Sequence, residues 1–344
     1  MKKVIKYINL IAMMILFVCL TGCKNVSKEE DGKIKIVCTA FPQYDWVREI
    51  AGDNIDNIEL ILLGDGADLH SYQPSTGDIV TISDCDIFIY VGGVSDGWVD
   101  DVLKQATNDD MIVINMMEIL SDKLHEEELV EGMEDGEHHH EDEEHHHDDE
   151  EQNHDNVYED LVEYDEHVWL SLKNAIIICE EICDALISVD GGNENRVTYE
   201  TNCGTYVMEL QMLDEQYSET VSSAKFDTIL FGDRFPFVYM VEDYGLNYYA
   251  AFVGCSSESE ASIETIAFLA GKMDELELPA VLVVEGSTTD LAKTVVESTK
   301  AKDYPILVMD SLQTVTKADL DGGKNYLDTM KSNLEILKQA LLCE

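Results

Sequence analysis

Residues 195–224 form the stretch that most restricts the fold, because they contain no proline and Gly204 is their one strong helix breaker. Within them Val197, Tyr199, Tyr206, Val207, Leu210, Leu213 and Tyr217 recur near a 3.6-residue period. The spacing predicts a helix of about 25 residues, roughly 40 Å long at 1.5 Å per residue, which exceeds most helices inside one domain. It reads as a rigid spine between two bodies, with the connecting helix at 195–224.

What flanks the spine supports that division. Before it, strand-like runs at Ile34–Cys38, Ile58–Leu63, Asp86–Val91 and Met111–Asn115 alternate with helical patterns such as Tyr44–Ala51. After it come runs at Thr228–Phe231, Tyr248–Phe252, Ala280–Glu285 and Pro305–Asp310, with helical stretches at Ile263–Leu276 and Thr289–Ser298. Alternation of this kind gives a parallel sheet covered by crossover helices. The expected fold class is α/β, with two Rossmann-like lobes at 33–194 and 225–344 joined by the long helix. The last apolar stripe, within Gly323–Leu342, reads as core.

The N-terminus is an address. Lys2, Lys3 and Lys6 precede an apolar run from Leu10 to Val18, which ends in Leu20-Thr21-Gly22-Cys23. A charged segment, a short apolar segment and small residues at the cut make an export signal over 1–22. The tetrapeptide resembles a bacterial lipobox, which would leave Cys23 as the lipidated first residue and 23–32 as a tether. The other cysteines outside the signal are odd in number and lack framework spacing, so no disulfide scaffold is expected. Cys179 and Cys183, spaced i,i+4 among apolar neighbours, read as core rather than as ligands.

With 22 Lys and Arg against 71 Asp and Glu, the formal net charge is −49. Phosphate binding needs a positive footprint, so nucleic acid is excluded as a partner and cations are favoured. Acidic residues are densest between Glu126 and Glu166, where 21 of them occur with no Lys or Arg and with seven of the ten histidines. A segment this polar cannot offset its ordering entropy by burial and reads as a loop, over 125–160. His138, His139, His140, His145, His146 and His147 among carboxylates suit weak, multiple capture of divalent metal.

Outside that loop remain His70, His125 and His167. His70 lies in Gly66-Ala67-Asp68-Leu69-His70-Ser71-Tyr72-Gln73-Pro74, after one strand, and His167 in Asp165-Glu166-His167-Val168-Trp169-Leu170. Asp233 and Asp310 follow strands in the second half. Open α/β sheets bind ligands beyond the carboxyl ends of their strands, where these four groups would meet if the lobes faced each other. Two imidazoles and two carboxylates suit Zn²⁺, and also Mn²⁺ or Fe²⁺. A zinc hydrolase would need an open coordination position and a general base, commonly on a His-Glu-x-x-His helix, and the sequence has no such string.

The His70 and His167 motifs, together with Asp243-Tyr244-Gly245-Leu246 and Tyr326-Leu327-Asp328-Thr329-Met330-Lys331-Ser332-Asn333-Leu334, resemble those of the metal-specific substrate-binding lipoproteins of ABC importers. The resemblance spans the mature chain, and the acidic His-rich insert is a mark of that family's zinc members. It implies a receptor, not an enzyme, that binds one Zn²⁺ in the cleft and delivers it to a permease. It also implies a monomer tethered to the membrane through the lipid on Cys23. His70 and His167 match the family's first two ligands. Gly232 stands where a third histidine is usual, Asp233 is the nearest replacement, and Asp310 falls where the family often has a carboxylate. Glu285 is a further acidic candidate, with a supporting role the better expectation. Mn²⁺ or Fe²⁺ as cargo, or a surface metal buffer or adhesin, are the alternative readings.

Overall fold

The computed structural model describes residues 33–64, 66–134, 163–190, 195–256 and 260–343. The export signal, Cys23 and the loop histidines from His138 to His147 lie outside the described residues.

Each expected strand is present. β1 (Ile34–Cys38), β2 (Ile58–Leu62), β3 (Ile87–Tyr90) and β4 (Ile112–Asn115) form a parallel sheet in the order β2-β1-β3-β4. The second sheet repeats that order as β6-β5-β7-β8, from β5 (Thr228–Phe235), β6 (Asn247–Val253), β7 (Val281–Val284) and β8 (Ile306–Met309). Crossover helices α1 (Phe41–Ala51), α2 (Thr76–Ser83) and α3 (Val99–Leu103) serve the first sheet; α4 (Met116–Ile119) follows β4. In the second, α7 (Val238–Tyr244), α8 (Ile263–Leu276) and α9 (Asp290–Ser298) do the same. Parallel pairing requires such crossovers, and it sends every strand's carboxyl end to one edge of its sheet.

Between the sheets run α5 (Leu172–Val189) and the long α6 (Arg196–Ser223). The buried residues of α6 are Tyr199, Cys203, Tyr206, Val207, Leu210, Leu213, Tyr217 and Thr220, a single stripe at helical spacing. Val197, expected to share that stripe, is 68% exposed in the helix's first turn. After α10 (Lys317–Asp321), α11 (Tyr326–Leu341) returns the chain toward the first lobe. There the Tyr326 backbone N–H donates to the Asp45 carboxylate at 2.7 Å and its hydroxyl to the Trp169 carbonyl at 2.6 Å.

One continuous apolar core joins the two sheets, taking in Ile36 and Ile87, then Leu210 and Tyr217 of α6, then Ile229 and Leu282, with Leu334 and Leu337 of α11. Residues from Ile34 onward accordingly make one compact unit. Cys179 and Cys183 sit inside this core as free thiols, as their apolar neighbours suggested, and Cys203 joins them.

The spine's stability should therefore rest on its buried stripe. Leu210→Ala, at a fully buried position, is expected to cost about 2–5 kcal/mol in urea unfolding. Met208→Ala, two residues earlier and 57% exposed, should stay within about 0.5 kcal/mol.

Candidate metal centre

The carboxyl ends of both sheets supply the loops that carry the polar residues singled out above. His70 lies in a 3₁₀ turn (Leu69–Ser71) after β2, whose first N–H is capped by Asp68: the His70 backbone donates to Oδ1 at 3.0 Å. His167 lies beyond β4 and α4, immediately before the 3₁₀ turn Val168–Leu170 that leads into α5. It is fully buried.

Each imidazole is oriented by its Nδ1. That of His167 is 3.0 Å from Asp165 Oδ1, and that of His70 is 2.9 Å from Ser95 Oγ and 3.3 Å from Glu166 Oε2. A ring that gives its Nδ1–H to a carboxylate keeps a bare lone pair on Nε2, the arrangement of metal-ligating histidines. The two Nε2 atoms face each other at 3.3 Å. Two imidazoles on one tetrahedral Zn²⁺, with Zn–N near 2.05 Å, would stand about 3.3 Å apart.

The surroundings favour positive charge. Asp165 Oδ2 is buried with no hydrogen-bond partner, a costly state that a nearby cation relieves. Burial raises the Glu166 carboxyl, but hydrogen bonds from His70 and Ser95 outweigh it and hold the group below its ordinary value. Burial likewise lowers His70, and the bond to Glu166 overcomes it, so the imidazole is raised. Two glycines make room. A Cβ on Gly93, whose φ is +79°, would collide with Glu166 Oε1, and one on Gly254 would lie 2.9 Å from Asp165 Oδ2 and 3.1 Å from the His167 ring.

Cys255, in the turn after β6, joins the two histidines: the ligand atoms of His70, His167 and Cys255 all lie within 4.8 Å of one another. It is the one group of this kind among the described residues. Neither Asp233 nor Asp310 belongs to it. Asp233 spans the irregularity in β5 between Phe231 and Arg234, accepting from the backbone of Arg234 at 2.9 Å and of Val284 at 3.1 Å. Asp310 pairs with Lys324 at 2.6 Å and accepts from the Leu312 backbone at 2.9 Å. Gly232 leaves no room for a histidine-like side chain, because a Cβ there would lie 2.8 Å from Ala292 Cα of α9. Asp233 and Arg234 of β5 both line the cleft, and the Arg234 guanidinium bonds Asp68 Oδ2 at 2.9 Å and so ties the second lobe to the His70 turn.

Gln313 completes the constellation, its amide lying 3.0 Å from His70 Nε2 and 2.5 Å from His167 Nε2. Glu285 fixes the turn that presents it, accepting from the Ser311 backbone at 2.6 Å and from its hydroxyl at 2.7 Å. His125 is not a member; its ring lies edge-on to Tyr239. A cleft of about 640 Å³, lined by His70, Arg234, Cys255 and Glu285 among others, opens onto the site. The segments flanking the acidic tract also end here. Glu126 bridges Tyr164, the Glu127 backbone donates to the Glu163 carbonyl at 2.8 Å, and Glu127 Oε1 accepts from the Cys255 backbone at 3.1 Å.

Sequence reasoning missed Cys255, Arg234 and Gln313. The rule that selected Asp233 and Asp310, a position just past a strand's carboxyl end, applies equally to Cys255 and to the Ser311–Gln313 turn.

The family described as "Zinc-uptake complex component A periplasmic" (ZnuA) matches residues 36–340. The zinc-binding lipoprotein AdcA of Streptococcus pneumoniae is 32% identical over 344 residues, covering 97% of this chain and 61% of AdcA. The chain therefore spans about three fifths of the length of its AdcA relatives. The high-affinity zinc uptake system protein ZnuA of Bacillus subtilis is 28% identical and matches over 98% of both chains. Among solved structures, the Zn(II)-bound ZnuA-like domain of S. pneumoniae AdcA superposes with a TM-score of 0.66 at 27% identity, covering 90% of this chain and 99% of that one. The metal-dependent lipoprotein YcdH of B. subtilis shares the fold with a TM-score of 0.68 at 24% identity, over 90% of this chain and all of that one.

Glu285 gives the site a measurable pH signature. Burial, reinforced by the neighbouring Asp310, raises its carboxyl from 4.5 to about 7. The folded chain then holds a proton that the unfolded chain releases, so this contribution to stability is complete below pH about 4.5 and lost as pH rises through about 7. Stability curves of the metal-free protein should show up to about 3 kcal/mol of such loss, and Glu285→Gln should flatten that part of the curve.

Proposed function

The chain belongs to the ZnuA family of zinc-uptake components, and we propose from that premise that it captures Zn²⁺ outside the cytoplasm and hands it to an ABC permease for import. The observation that carries this reading is the pair of imidazoles, whose Nε2 atoms stand at the separation a tetrahedral zinc requires. His70 and His167 are the ligands of the first lobe. The reading needs no catalytic step.

The lipobox-like Leu20–Cys23 supports a receptor tethered by a lipid on Cys23, which we read as a monomer. The acidic tract serves as a local reservoir, a role supported by the anchoring of its flanking segments beside Cys255 and Asp165. The ion reaches buried His167 through the cleft over His70, where the Arg234–Asp68 pair holds the lobes together. Mn²⁺ or Fe²⁺ would be favoured by a carboxylate among the ligands. The ligand-atom group among the described residues contains none.

Competitive Zn²⁺ titration of the mature chain tests the reading. One tight site should survive deletion of residues 136–160 and weaken by well over tenfold in His70→Ala, since loss of even an outer partner of a ligand costs about 10–100-fold. If tight binding disappears with the tract and His70→Ala changes nothing, the protein is a surface metal buffer and not a cleft receptor.

A further inference from the structure

We infer that Cys255 binds the cation as a thiolate, so that the centre is a two-histidine, one-cysteine site selective for thiophilic ions. The inference rests on the receptor reading above and specifies the class of ion that the receptor accepts.

Geometry is its first support. Cys255 Sγ lies within 4.8 Å of both imidazole nitrogens. In a tetrahedral zinc site with Zn–N near 2.05 Å and Zn–S near 2.3 Å, nitrogen and sulfur stand about 3.6 Å apart. A shift of about 1 Å in the turn after β6 is therefore enough to close the set around an ion. The Glu166 backbone N–H points at the sulfur and the thiol bonds the Glu127 carboxylate, but burial, reinforced by the Asp165, Glu127 and Glu166 carboxylates, pushes the metal-free thiol well above its ordinary value. It is coordination to the divalent ion that releases the thiol proton to water. Glu166 thus serves the site twice, with its carboxylate on His70 and its amide on Cys255.

The remaining donors of the second lobe point the same way. Arg234 has no lone pair to offer, and its charge is spent on Asp68. Asp233 and Asp310 are held by backbone amides and by Lys324. The Gln313 amide meets both imidazoles through its nitrogen, while its oxygen accepts from Ser311 Oγ at 3.2 Å and is turned away from the ion. Two imidazole nitrogens and a thiolate suit Zn²⁺, Cd²⁺ and Co²⁺ and disfavour Mn²⁺, which prefers oxygen donors.

Co²⁺ substitution reads the sulfur directly. One equivalent added to the full mature chain under reducing conditions should give an intense thiolate-to-cobalt charge-transfer band in the near ultraviolet. The acidic tract contains no cysteine, so it cannot produce the band. Cys255→Ser should abolish the band, retain weak visible cobalt bands from the imidazole site, and lower Zn²⁺ affinity by at least about tenfold. Cys203→Ser, at a thiol buried in the core away from the cleft, should leave the band in place. A tight Co²⁺ or Zn²⁺ site that depends on His70 yet shows no charge-transfer band in the parent chain overturns the thiolate and leaves the receptor reading standing. A parent chain with no tight site dependent on His70 overturns both. Mn²⁺ competing on equal terms with Zn²⁺ would also refute the thiophilic assignment.

Discussion

Everything at the centre depends on two carboxylates held against two imidazoles. Nδ1 of His167 is fixed by Asp165, and Nδ1 of His70 by Glu166 with Ser95. Without those partners each buried ring could turn or change tautomer, and the two Nε2 lone pairs would have no reason to converge. Three consecutive residues, Asp165-Glu166-His167, therefore set both rings, although His70 lies 97 positions away in the chain. The burial of the unpartnered Asp165 Oδ2 beside the rings is the cost of this arrangement, and a cation bound there would offset it.

The fold keeps these groups in register through the core behind them. A single apolar cluster runs from the first sheet through α6 to the second sheet and α11, so the lobes share one interior instead of meeting at a solvated hinge. Trp169, two residues past His167, donates its indole N–H to the Ser311 carbonyl at 2.9 Å, which links the His167 loop to the turn that carries Gln313. Close-packed interiors resist continuous deformation. Ion capture is thus left to the surface loops, and the turn after β6 bearing Cys255 is one that the core does not grip as tightly as it grips His167.

Much of the fold was readable in the sequence because hydrophobic periodicity reports directly on which face is buried. The eight strand runs and the long helix could be placed that way, and so could the core role of Cys179 and Cys183. His70 and His167 stood out because histidines are rare outside the acidic tract. The second lobe's contribution was not readable, since it depends on where a bulge turns the chain. At β5 the irregularity between Phe231 and Arg234 directs Gly232 onto α9, uses Asp233 to replace ladder hydrogen bonds, and carries Arg234 to the cleft. No pattern of polarity announces a one-residue change of that kind. Cys255 was hidden for a related reason: a thiol among scattered thiols acquires meaning only once the fold sets it beside two imidazoles.

The arginine in a cation site then has a physical account. A chain with a net charge of −49 surrounds its cleft with carboxylates, and free carboxylates would take up abundant hard cations such as Mg²⁺ and Ca²⁺. The cleft's acids are instead each committed. Asp68 is neutralised by Arg234, Asp233 is bonded to backbone amides, and Glu285 to Ser311; Asp310, outside the cleft, pairs with Lys324. With those oxygens occupied, the lone pairs left to face an ion belong to the imidazoles and the thiol, with the unpartnered Asp165 Oδ2 behind the His167 ring. The long-range field of the acidic surface draws every cation toward the cleft. The internal ion pairs decide which of them find ligands there.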